Sequence, residues 1–104
     1  EDGMTMDTLI RDIGHEQFVA CLNQPFQIRL EESGIAVELV RVAPWGEGQT
    51  DRRQPFSLTF RGPNDPVLSQ RIYALENPTL GMLEIFLVPI GPDKQGMQYE
   101  AVFT

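Results

Sequence analysis

From Pro25 to the end of the chain, apolar residues recur at every second position, and this period of two confines most of the sequence to β structure. Phe26, Ile28 and Leu30 alternate with Gln27, Arg29 and Glu31, and Phe56, Leu58 and Phe60 with Ser57, Thr59 and Arg61. Met97, Tyr99, Ala101 and Phe103 repeat the pattern, and a further strand spans Arg71 to Glu76 before Asn77-Pro78 ends it. Successive strand side chains point to opposite faces, so each segment reads as a half-buried strand. Glu32-Ser33-Gly34, Gly62-Pro63-Asn64-Asp65-Pro66 and the stretch from Gly91 to Gly96 carry the residues that turns require.

Two segments break phase. Between Ile35 and Val42, Val37 and Leu39 share one face while Val40 and Val42 belong to the other. Either a β-bulge or a strand buried on both sides produces that slip. In residues 82–90, Leu83, Ile85 and Leu87 take one face and Phe86, Val88 and Ile90 the other, with only Glu84 interrupting. A strand apolar on both sides needs cover on both. Pro89 forfeits a ladder hydrogen bond and marks a bulge or an end of pairing.

The N-terminal residues are the expected cover. Met6, Leu9, Ile10 and Ile13 fall on one helical face, with Thr5 as a candidate cap and Gly14 as a stop. A second short pattern sets Phe18, Cys21 and Leu22 together and ends at Asn23, ahead of Pro25. Both helices are too short to stand alone and must dock. Residues 1–14 thus read as an extension holding one short helix, and residues 15–104 as a single β domain. Six strands on mostly short connections, with no helix between them, imply antiparallel neighbours. The expected fold is mainly β: a six-stranded antiparallel meander forming a small barrel or half-barrel, with a short N-terminal helical pair packed on it.

Eight basic against 15 acidic side chains leave a formal charge of −7, which argues against nucleic acid and against an anionic membrane surface. No apolar stretch approaches the ~20 residues a bilayer needs, and no basic-then-apolar leader opens the sequence, so the expected compartment is the cytoplasm. One cysteine and one histidine exclude an internal disulfide and an all-Cys/His zinc site.

No catalytic, cofactor or metal set emerges. His15 reads as a surface residue beside Glu16, and Cys21, sharing its face with Phe18 and Leu22, reads as core. Glu31 and Glu32 flank a turn and point to opposite faces, so they do not form an acid–base pair. Asp51, Asp65 and Asp93 lie in loops without the twelve-residue calcium pattern, and Gly46-Glu47-Gly48 lacks the context of a dinucleotide loop. The remaining cluster is Trp45 with Arg52 and Arg53, types that dominate interface energetics. Trp45 either anchors a protein partner or folds back over the barrel end.

Several of these segments together resemble a bacterial family catalogued only as a domain of unknown function. They are Phe18 through Phe26, Pro55-Phe56-Ser57-Leu58-Thr59-Phe60-Arg61-Gly62-Pro63, Tyr73-Ala74-Leu75-Glu76-Asn77-Pro78 with Gly81, Leu83-Glu84-Ile85-Phe86-Leu87-Val88-Pro89, and Tyr99-Glu100-Ala101-Val102-Phe103. The resemblance covers residues 15–104. It implies a small β domain with no established activity and no cofactor, in an accessory role within a larger phage-tail-like or surface assembly. A histidine is common in that family where this chain has Asn77.

The leading expectation is a non-enzymatic interaction or structural module with an unidentified protein partner. A small-ligand barrel is second, weakened because Phe26, Phe56, Phe60 and Phe103 should fill so narrow an interior. A carboxylate-based enzyme is third. A homo-oligomer follows if the second face of residues 82–90 lacks cover within the chain.

Overall fold

The computed structural model describes residues 15–44 and 56–103. A short helix α1 (His15–Val19) precedes six strands: β1 (Pro25–Arg29), β2 (Gly34–Pro44), β3 (Phe56–Gly62), β4 (Arg71–Asn77), β5 (Gly81–Asp93) and β6 (Gly96–Phe103). They close into a barrel in the order β1-β2-β3-β6-β5-β4, every neighbour antiparallel. The expectation of a mainly β barrel or half-barrel holds, and the barrel is closed, but the strands do not follow one continuous meander. β4 returns beside β1 after three hairpin-connected strands, which is a Greek key. The connection that makes this possible, residues 63–70, is tied down where the Leu68 amide donates to the Tyr99 hydroxyl at 2.9 Å.

Both phase breaks are bulges. The β2–β3 register shifts between Leu39 and Arg41, leaving Val40 as the extra residue, so β2 is not a strand buried on both faces. The β5–β6 register shifts between Pro89 and Gly91, where the proline could not continue the ladder. β5 then runs on to Asp93, further than the turn signals suggest. Its carboxylate accepts hydrogen bonds from the Gln95 and Gly96 amides, which compresses the reversal to Lys94-Gln95. Gly96 is required there because a Cβ at this position would lie 2.2 Å from the Gly62 carbonyl oxygen.

Inward residues fill the barrel. Phe26 and Phe60 meet edge to face at 5.2 Å, and Phe56 stacks on Phe103 at 5.0 Å. Ile28, Leu39, Leu58, Leu75, Leu83 and Leu87 are fully buried around them. α1 does not cover β5, as the helical pattern had suggested. It closes one barrel mouth, with Phe18 packed on Phe56 and Phe103 and the following turn hydrogen-bonded to Leu39 of β2. Asn23, at φ 68°, ends this helical turn in the left-handed conformation that Asn tolerates. The expected helix in residues 1–14 lies outside the described residues.

Candidate functional site

Alternation along β4 and β5 sends Tyr73, Leu75, Leu83, Ile85 and Leu87 inward, and therefore Ile72, Phe86 and Val88 outward. Ile72 and Phe86 face each other directly across the ladder, at 61% and 48% exposure. On β6, Val102 is 46% exposed, two residues past the Val88–Glu100 pair at which β5–β6 pairing ends. Met82 and Ile90 (48% exposed) extend the apolar strip along β5. Carboxylates border its centre: Glu84, between Met82 and Phe86, and Glu100, opposite Val88. An apolar line of this kind, rimmed by charge, is the form that interaction surfaces take.

A second feature of the same wall follows from strand lengths. β1 has five residues and pairs with β4 only from Gln27↔Glu76 to Arg29↔Ala74. Beside this short seam lies an open groove of about 590 Å³, lined by Arg29, Leu30, Glu31, Arg71, Ile72, Tyr73 and Ala74. A shallower groove of about 530 Å³ continues along the seam past Gln27, Glu76 and Pro78. The Arg71 guanidinium sits 5.3 Å above the Tyr73 ring, and Arg29 reaches Glu76 at 3.5 Å.

Two polar constellations serve the fold. Asn77, 1% exposed, donates from Nδ2 to the Pro25 carbonyl at 3.1 Å and to Gln24 Oε1 at 3.4 Å. Its Oδ1 accepts from the Thr79 and Leu80 amides at 2.8 and 3.0 Å, so one side chain clasps the β4–β5 turn to the start of β1. Arg61 grips Asp93 through Nε at 2.9 and 3.2 Å and through Nη2. The Arg61 guanidinium, helped by the Gln95 and Gly96 amides, holds the Asp93 carboxyl below the usual carboxylate range.

The candidates singled out in the sequence are not brought together by the described residues. Trp45, Arg52 and Arg53 lie outside them, as does Asp51. Cys21 is buried in the core, with Sγ 3.9 Å from Asn77 Oδ1, and burial pushes its thiol up. Glu31, Glu32 and Asp65 are exposed on turns, and Asp93 is committed to Arg61. Among the described residues no group of three or more His, Cys, Asp or Glu is placed to hold a metal ion, and no helix is long and apolar enough to cross a membrane. The outward face of β5 was visible in the sequence as a second apolar side, but periodicity does not say what covers it.

A family model described as a domain of unknown function, DUF6916, matches residues 13–103. No curated protein and no solved structure matches the chain.

Proposed function

We propose that this chain, which belongs to the DUF6916 family of domains of unknown function, is a non-enzymatic protein-interaction module, an accessory part of a larger assembly. It docks through the outer face of β4, β5 and β6. The exposed Ile72–Phe86 pair carries this reading. Two large apolar side chains directly opposed on a solvent-facing ladder gain area only when something is laid over them. Among the described residues, phenylalanines and leucines occupy the interior, which argues against a ligand site there.

The partner is a protein surface with an apolar centre and cationic surroundings. Glu84 and Glu100 border the centre of the strip, and the chain carries a net charge of −7, so Lys or Arg groups complement it. A second copy would bring the same carboxylates against one another.

The full chain and its Phe86→Asp and Glu84→Lys/Glu100→Lys variants are used as bait, with carbodiimide joining carboxylates to lysines in direct contact. The reading expects zero-length links from Glu84 or Glu100 to lysines of one partner. It expects those links to be lost in both variants, with thermal midpoints close to wild type. Links to Lys94 of another copy, or a partner held equally well by Phe86→Asp, would overturn it. Collapse of the Phe86→Asp fold would show the residue to be structural, a result the milder Phe86→Thr variant checks.

A further inference from the structure

On its β5 side, β4 is paired along its whole length, from Arg71↔Leu87 to Asn77↔Gly81. On its β1 side, pairing begins only at Ala74. Among the described residues, Arg71, Ile72 and Tyr73 therefore have one partnered edge and one edge with no strand beside it. β1 cannot extend over them, because beyond Arg29 the chain turns back on itself, with the Leu30 amide donating to the Ser33 carbonyl at 2.9 Å. Main-chain groups of successive strand residues point alternately to the two neighbours, so at least one of these three residues presents both an N–H and a C=O to the groove.

The edge is fixed in place. The Tyr73 hydroxyl donates to the Ser69 carbonyl at 2.6 Å, and Leu68 is held by Tyr99, so the chain entering β4 is pinned on both sides of Ser69. A groove of about 590 Å³ lies within the range of pockets that hold ligands, and this one is lined by four consecutive residues of β4, Arg71 to Ala74. Its charge runs against the rest of the molecule. Arg71 and Arg29, which also reaches Glu76 at 3.5 Å, line it with Glu31 as the one carboxylate among its lining residues, in a chain of net charge −7.

We infer that this groove binds an extended acidic peptide segment by strand addition to the open edge of β4. The peptide backbone pairs with residues 71–73, apolar side chains lie on the outer face beside Ile72, and carboxylate side chains on the opposite face meet Arg71, with Arg29 adding positive charge at the far end of the groove. The site is separate from the cation-seeking strip, although Ile72 borders both. Either can be right without the other.

The probe is the blocked peptide Ac-Thr-Asp-Val-Asp-Val-Thr-NH2, titrated into the ¹⁵N-labelled full chain, with the lysine counterpart Ac-Thr-Lys-Val-Lys-Val-Thr-NH2 as control. Saturable amide shifts confined to residues 29–31 and 71–74 are expected, with cross-strand contacts from peptide to β4. The lysine peptide should bind at least about tenfold more weakly. Arg29→Glu/Arg71→Glu should invert that preference, which loss of fold cannot mimic. Absence of saturable shifts up to about 5 mM peptide would overturn the inference, as would shifts centred on Phe86 and Val102 or equal binding of the two peptides. Dimerisation of the free chain that the same double variant dissolves would place a second copy on the edge and overturn it too. Because the probe carries no cation, failure here leaves the outer-strip reading standing, and failure of the cross-linking leaves this one.

Discussion

Replacing Asn77 separates hydrogen bonding from packing at the point where the β4–β5 turn meets the start of β1. Asn77→Ala removes two donors and an acceptor, stranding the Pro25 carbonyl and the Thr79 and Leu80 amides. An unsatisfied buried group costs about 1–3 kcal/mol. Thr79 and Pro25 are both exposed residues, so water can recover part of the loss at each. One or two stranded groups plus a small cavity give roughly 2–4 kcal/mol. For a domain this size that lowers the thermal midpoint by roughly 10–20 °C. Asn77→Asp refines the test. It keeps the acceptor for Thr79 and Leu80 but turns the donor into a carboxylate oxygen facing the Pro25 carbonyl and Gln24 Oε1. Burial and the two facing oxygens oppose ionisation there while the Thr79 and Leu80 amides favour it; where the former win, the folded carboxyl titrates above its unfolded value of about 3.9. Below that value both states are protonated and the neutral acid can still donate. As pH rises through it, the unfolded state ionises first and the folded state loses ground. Urea titrations followed by circular dichroism should therefore find Asn77→Asp close to wild type near pH 3.5 and close to Asn77→Ala near pH 7, each compared with wild type at the same pH. The reasoning fails if Asn77→Ala costs less than about 0.5 kcal/mol, or if the aspartate variant loses the same amount at both pH values.

Calorimetry should separate core from strip: Phe60→Ala, fully buried, costs about 3–5 kcal/mol, and Phe86→Ala under about 1 kcal/mol. Similar losses would mean that the outer strip is structural. Gly96→Ala forces a Cβ to within 2.2 Å of a backbone oxygen that cannot move aside, and denaturant midpoints should show a loss of about 1–3 kcal/mol or more. Asp93, held below the usual carboxylate range by Arg61, contributes stability that is present above its unfolded pKa and lost as pH falls through its lower folded value. Asp93→Asn should flatten the acid limb of the stability–pH curve below about pH 4, and an unchanged limb would refute the assignment.

The local half of this fold was legible because period two is a local code. Phe26, Leu58 and Tyr99 each declare their face two residues at a time, and Pro89 and the Val37–Val40 slip mark both bulges. Asn23 marks the helix end for the same reason, since left-handed backbone is a property of one residue. Greek-key closure was not legible. It rests on β4 reaching β1 and β6 reaching β3, and a half-buried strand pairs equally well with any half-buried neighbour. The site had a partial signature. Phe86 and Ile90 were recognisably on a second apolar face, yet apolarity of a side chain carries no information about its cover, and the nearest helical pattern closes the barrel mouth instead. The groove had no signature, because it arises from a difference in length between two strands separated by 41 residues.

That length difference also bears on where the barrel can yield. The β3–β6 seam closes over seven paired positions and the β1–β4 seam over three, so closure is weakest beside the open edge of β4. At the other end of the short seam Asn77 clasps the start of β1, which leaves the Arg29 end as the less constrained one. A strand added at Arg71–Tyr73 would continue the seam from the point where β1 leaves it. Its binding would then stabilise the closed barrel by mass action, because the unfolded chain offers no such edge. The short seam and the exposed Ile72–Phe86 pair thus meet on one wall: among the described residues, the end of β4 that β1 leaves uncovered carries one of those two exposed apolar side chains.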